Sequence, residues 1–158
     1  MTMSSKRTAI VTGASQGIGA AAVEALVNAG YNLVATSRTV NQSLTASPNL
    51  VLVAGDIGKK ETAAKVAAAA VEKFGSIDLL VTNAGIFSTK PFTSFTTDDF
   101  NALVSTNLLG FLYITQLAVE QMLKQRSGAV VSITAALADQ PIAGVNEIGR
   151  AHVWTPVT

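Results

Sequence analysis

Residues 12–19 read T-G-A-S-Q-G-I-G, between an apolar run at 8–11 (T-A-I-V) and a helical pattern that continues A-A-V-E-A-L-V. Gly13, Gly17 and Gly19 omit a Cβ where a chain leaving a strand must turn tightly and where a pyrophosphate needs to approach the backbone. Ser15, Gln16 and Ile18 complete the loop. A helix that starts here presents unpaired N–H groups and a positive dipole end, which together make an anion site. The chemistry this implies is dinucleotide binding and, through the dinucleotide, hydride transfer. A tight strand-to-helix turn without a ligand is the competing reading.

Four further features bear on that choice. About twenty residues past Gly19 an acid would bind an adenosine 2′-hydroxyl and an Arg would accommodate a 2′-phosphate. The chain has Ser37-Arg38 there and no acid nearby. A guanidinium is a charged donor fork matched to phosphate, so NADP is expected in preference to NAD, against a solvated surface Arg as the alternative. Asp56, in A-G-D-I, follows an apolar run and is placed either to accept from an adenine amino group or to cap the next helix. Asn83-Ala84-Gly85, in T-N-A-G, follows another apolar run, at the sheet edge where ligands bind in such folds, although an Asn-Ala-Gly turn alone also fits. Asn107 interrupts a helical pattern and marks either a local distortion or a solvent-facing position.

The elements that must position these residues alternate strand and helix. Strands are predicted over 8–12, 32–36, 50–54, 77–82 and 129–133, and helices over 17–29, 59–74 and 98–124, the last broken near 107–110. Thr96 or Thr97 is the expected N-cap of the long helix, ahead of Asp98 and Asp99. Alternation of this kind predicts an α/β fold, a Rossmann-type doubly wound parallel sheet in three α/β/α layers. The first, third, fourth and fifth strands are continuous apolar runs, the pattern of strands covered on both faces.

Composition narrows the function classes. The chain has 158 residues, 49% hydrophobic and 13% charged, with a net charge of +1, which is no basic footprint for nucleic acid. It has no Cys, so thiolate metal sites, disulfides and a Cys nucleophile are excluded, and no metal is expected. The opening M-T-M-S-S-K-R shows no apolar leader, and no uninterrupted apolar run reaches ~18 residues, so a cytoplasmic protein with no membrane span is expected. Residues 108–119 read as a buried helix.

The ordered set T-G-A-S-Q-G-I-G, Asp56, T-N-A-G and Asn107 resembles the short-chain dehydrogenase/reductase family over residues 6 to 146. The resemblance implies an NAD(P)-dependent oxidoreductase acting on a small alcohol or carbonyl, in a parent that forms homo-oligomers. It implies that Asp56 and Ile57 flank the adenine, that Asn83, Ala84 and Gly85 line the ribose side, and that Asn107 belongs to a catalytic tetrad with Ser, Tyr and Lys. The chain departs from that pattern at three tetrad positions, which hold Ala135, Ile148 and His152. Ala donates no hydrogen bond to a substrate oxygen, and Thr134, one residue earlier, is expected to point to the opposite face of its strand. Residues 147–158, E-I-G-R-A-H-V-W-T-P-V-T, resemble a sequencing-library adapter read in one frame, with Trp154 where the adapter has TGA. The expected organisation is therefore a partial dinucleotide-binding domain at 1–146, incomplete on its C-terminal side, and a non-native tail at 147–158. The chain is expected to be catalytically inactive, with its fifth strand left as an aggregation-prone apolar edge. A non-catalytic dinucleotide-binding or sensor module is the alternative.

Overall fold

The computed structural model describes residues 6–39 and 44–135. Ile148, His152, the domain boundary at 146/147 and the 147–158 tail lie outside the described residues. Five strands, β1 (Thr8–Thr12), β2 (Asn32–Ser37), β3 (Leu50–Ala54), β4 (Leu79–Thr82) and β5 (Ala129–Ser132), form one parallel sheet in the order β3-β2-β1-β4-β5. The helices are α1 (Gly17–Asn28), α2 (Lys60–Phe74), α3 (Thr97–Leu103) and α4 (Gly110–Gln125), with a π-helical segment Val104–Leu109 joining the last two. Reversal of strand order beside β1 opens a crevice at the carboxyl ends of the strands, where α/β sheets take ligands.

Period-two alternation divides the core between two faces. Ile10, Val34 and Leu80 face α2 and α4, where they pack with Ala63, Val66, Ile114 and Ala118. Ala9, Val11, Leu33 and Ala35 face the other way and pack with Val23 of α1. At the amino ends of the strands, Asp78 accepts from Thr8 N at 2.7 Å and from Ser76 Oγ at 2.7 Å. The Gln125 amide holds both backbone groups of Ile77, accepting from N at 2.9 Å and donating to O at 3.0 Å. Ile77 is thereby paired to a side chain, and β4 begins at Leu79 rather than at residue 77.

Two expectations about burial need correction. β5 is exposed along its length, and β3 is fully buried only at Leu50. Both are edge strands with one neighbour, so a continuous apolar run here does not mean cover on both faces. The long helix is likewise not buried all round. Gly110, Ile114, Ala118 and Met122 face the core, while Leu108, Leu112, Val119 and Leu123 are exposed. Within the 29-residue helical run Thr97–Gln125 an 18-residue stretch has a mean hydropathy of 1.5, so the run is long and apolar enough to cross a membrane by those two measures alone. The polar Thr115 and Gln116, which interrupt its apolar run, lower the hydropathy too little to fail that test. α4 nevertheless uses its small and apolar face to pack along α2, as a core helix does.

Candidate functional site

The glycine loop sits at the carboxyl end of β1. Gly13 and Gly17 have φ of +69° and +55°, a region L side chains avoid. Gly19 is needed for a different reason: a Cβ there would stand 2.2 Å from Gly13 O and 2.5 Å from Asn83 Nδ2. α1 begins with no side-chain cap and no acid in its first turn, which leaves its dipole end to the cleft.

The T-N-A-G turn is more than a connector. Asn83 N and Ala84 N donate to Thr12 Oγ1 at 3.1 and 3.0 Å, and Asn83 Nδ2 donates to the carbonyls of Thr12 and Gly13 at 3.1 Å each. Ala14 N donates to Thr36 O at 3.1 Å, tying the loop to β2 on its other side. Side chain and backbone thus bind the turns after β1 and β4 and the end of β2 into one rim.

These turns enclose a cleft of about 300 Å³. Of the residues singled out in the sequence, Gly13, Ser15, Gln16, Gly17 and Ile18 line one wall. Ser37, Arg38 and Ile57 line a second, and Asn83, Ala84 and Gly85 the third. Arg38 is exposed, is the one charged residue in the lining, and has no ion-pair partner among the described residues. Gly19 lies beneath the loop rather than in the lining. Asp56 also stands back from it: its Oδ1 accepts from Gly58 N at 2.9 Å, so it braces its own turn and caps no helix. Sequence reasoning passed over Thr36, Gly55, Ile86 and Thr106, which also line the cleft. Their signal was position alone: Thr36, Gly55 and Ile86 lie at or after the carboxyl ends of strands that face the crevice, and Thr106 precedes Asn107 in the π-helical segment.

Asn107 lies in the π-helical segment, confirming the distortion and excluding a merely solvent-facing role. Its Oδ1 accepts from Ile86 N at 2.8 Å and its Nδ2 donates to Ile86 O at 2.9 Å. Gly85 lies beside this contact, and a Cβ there would meet Asn107 Oδ1 at 3.6 Å, an ordinary van der Waals distance. Farther along the same loop Lys90 pairs with Asp99, and Thr96 and Asp99 form a reciprocal capping box at the start of α3. Thr96, rather than Thr97, is the N-cap. The Asp99 carboxyl is held well below the usual carboxylate range by the Lys90 ammonium and then by Thr96. Ala135 is exposed beyond the end of β5, where it offers no hydrogen-bonding side chain.

The glycine cradle, the uncapped helix start and the lone guanidinium fit a phosphorylated dinucleotide. Comparison with known proteins agrees with a dinucleotide site. The profile of the family described as short chain dehydrogenase matches residues 7–147. An uncharacterized oxidoreductase of Staphylococcus saprophyticus is 32% identical over 139 residues, which are 80% of this chain and 58% of that protein. A diacetyl reductase, (S)-acetoin forming, of Staphylococcus epidermidis is 31% identical over 77% of this chain and 50% of its own length. Among solved structures, ElxO with NADP bound superposes with a TM-score of 0.82 at 28% identity, covering 92% of this chain and 62% of that one. A short-chain dehydrogenase from Streptomyces avermitilis gives 0.84 at 29% identity, over 93% and 56%. The chain therefore spans between half and two thirds of the length of these relatives.

Proposed function

Because the chain belongs to the short-chain dehydrogenase family, an oxidoreductase family that binds NAD(P), we propose that its cleft takes NADP in preference to NAD. We also propose that its parent transfers hydride between that cofactor and a small alcohol or carbonyl. The observation that carries the NADP preference is Arg38, the one charge in a cleft lining that contains no acid. A carboxylate there would accept from a 2′-hydroxyl and repel a 2′-phosphate, whereas a guanidinium does the reverse. The NADP-bound state of ElxO supports the same choice.

In this reading the backbone of Gly13 to Gly19 and the start of α1 receive the pyrophosphate. Ser37 and Arg38 face the adenosine phosphate, Asp56 and Ile57 flank the adenine, and Asn83, Ala84 and Gly85 adjoin the ribose. The bound cofactor supplies the hydride. Asn107 holds Ile86, and with it the rim of the cleft, in place.

The chain itself binds the nucleotide without turning it over. Position 135 is Ala, and Ile148 and His152 stand where the family has Tyr and Lys, so the groups that would polarise a carbonyl and move its proton are missing. The domain is read as 1–146, with 147–158 a non-native tail, in keeping with a family match that ends at residue 147. A cytoplasmic setting and a homo-oligomeric parent complete the proposal.

Thermal unfolding with NADPH and with NADH tests the binding reading. NADPH is expected to raise Tm more than NADH does, and Arg38→Asp to abolish or reverse the difference. Equal shifts for the two nucleotides in the unaltered protein would refute the preference. Hydride transfer to diacetyl at a measurable rate would refute the inactivity.

A further inference from the structure

Polar groups are divided unevenly between the walls of the cleft. On the first two walls stand the glycine loop, the uncapped start of α1 and the Arg38 guanidinium, all suited to phosphate. The third wall, Asn83 to Ile86 with Thr106, already has most of its donors paired within the chain. Both amide protons of Asn83 go to carbonyls, those of Thr12 and Gly13, at 3.1 Å each. The backbone N–H groups of Asn83 and Ala84 go to Thr12 Oγ1 at 3.1 and 3.0 Å. Ile86 uses its N–H and its carbonyl on the Asn107 amide, at 2.8 and 2.9 Å, so one pairing engages both residues. The other side chains of this wall, Ala84, Ile86 and Thr106, bring one hydroxyl and no charge. A paired group offers a ligand little, because a new bond must first replace the old one. Positions 135, 148 and 152 add Ala, Ile and His, in place of the Ser, Tyr and Lys that would complete a tetrad with Asn107. The cleft, about 300 Å³, is at the small end of the ~300–1,000 Å³ usual for ligand sites.

We infer that this chain grips only one half of the dinucleotide, the adenosine with its ribose phosphate and pyrophosphate, and gains no affinity from the nicotinamide half. The inference rests on the dinucleotide site proposed above, and the NADP reading supplies the ribose phosphate. Oxidised and reduced coenzyme differ only in the nicotinamide ring, so the chain binds them alike. It therefore registers the size of the NADP pool and not its redox state. A ligand with no differential affinity for a protein's two forms shifts nothing, and by the same logic a site blind to the ring reports nothing about the ring.

Dissociation constants measured by calorimetry on the full, unaltered chain decide the matter. Five ligands are compared: NADPH, NADP+, NADH, ADP and 2′-phospho-ADP, the last being the phosphorylated coenzyme cut off after its pyrophosphate. 2′-Phospho-ADP is expected to bind within about threefold of NADPH, and NADP+ within about threefold of NADPH, since even one net hydrogen bond to the nicotinamide half would add roughly fivefold. A larger gap in either pair overturns the inference. Failure of the NADP reading has a different signature. ADP binding as tightly as 2′-phospho-ADP would remove the ribose phosphate from the proposal. The half-site would then stand if ADP and NADH agree within about threefold, and fall if they do not. No binding of any of the five would refute the dinucleotide site, and this inference with it.

Discussion

Thr12 and Thr36 offer an internally controlled test of how the rim is built. They are register partners on adjacent parallel strands, 2% and 1% exposed. The Thr12 hydroxyl accepts from Asn83 N at 3.1 Å and from Ala84 N at 3.0 Å. The Thr36 hydroxyl is buried without a hydrogen-bond partner among the described residues. Val has nearly the same shape as Thr, so Thr→Val at each position isolates the hydroxyl. At Thr12 it strands two amide donors at about 1–3 kcal/mol each, and some relaxation toward water leaves a net loss of about 2–4 kcal/mol. For a chain of this length that lowers Tm by roughly 5–15 °C. At Thr36 it removes a desolvated group that gains nothing in return, so stability is expected to rise by about 1 kcal/mol. The assay is urea unfolding of the ligand-free protein followed by far-UV circular dichroism, with Thr12→Ser as the control that keeps an acceptor. Opposite signs are expected, because the two sites share burial, backbone and sheet face and differ in the partners of their oxygens. If both valine variants shift stability in one direction by similar amounts, the anchoring assigned to Thr12 is wrong.

Other outcomes follow from the same geometry. Gly19→Ala forces a Cβ to within 2.2 Å of a backbone carbonyl and is expected to cost about 3 kcal/mol or more and to abolish stabilisation by NADPH, both read by thermal shift. Gly17→Ala meets open space and is expected to cost only about 1 kcal/mol, from its positive φ. The folded-state pKa of Asp99 lies below its unfolded value of about 3.9. Its contribution is therefore complete above that pH and lost as the pH falls below it toward the folded value. The stability gap between the unaltered chain and Asp99→Asn should accordingly narrow on acidification from pH 5 to pH 2, and a gap that stays constant over that range would contradict the assignment. β5 exposes Val130 and Val131, 39% and 47% accessible, on an edge strand. Val131→Lys is expected to lower light scattering at high concentration, since a charge on an open edge opposes strand-to-strand association.

The fold was legible because its signals are local and repeated. Apolar runs punctuated by Gly30, Gly75 and the glycine loop located all five strands, and the limits of β1 and β3 agree to the residue. The loop at 12–19 and the turn at 83–85 were legible as parts of the cleft rim because their types have a mechanical reason to be there. What the sequence hid depends on partners distant in the chain. The Asn83 amide crosses to Thr12 and Gly13, and the Asn107 amide clamps Ile86, and neither pairing leaves a trace in residue type. Asp56 is legible only in part. A carboxylate at a strand end invites a ligand or a capping role, and the structure removes the second: α2 has no side-chain cap, and Asp56 Oδ1 accepts from the amide two residues on. Exposure of β3 and β5 was masked because an apolar run looks the same at a sheet edge as in its centre.

The bridge from Thr12 to the 83–84 amides joins segments 71 and 72 residues apart, across the seam where the two halves of the sheet meet. A nucleotide bound in the cleft as proposed above would touch the loop from the first half and the turn from the second, and so act as a clasp across that seam. At a hundredfold excess over its dissociation constant, a ligand of the native state adds about 2.7 kcal/mol to the work of separating the halves. Coenzyme supply would then govern how long this polypeptide survives proteases, whether or not any substrate reaches it.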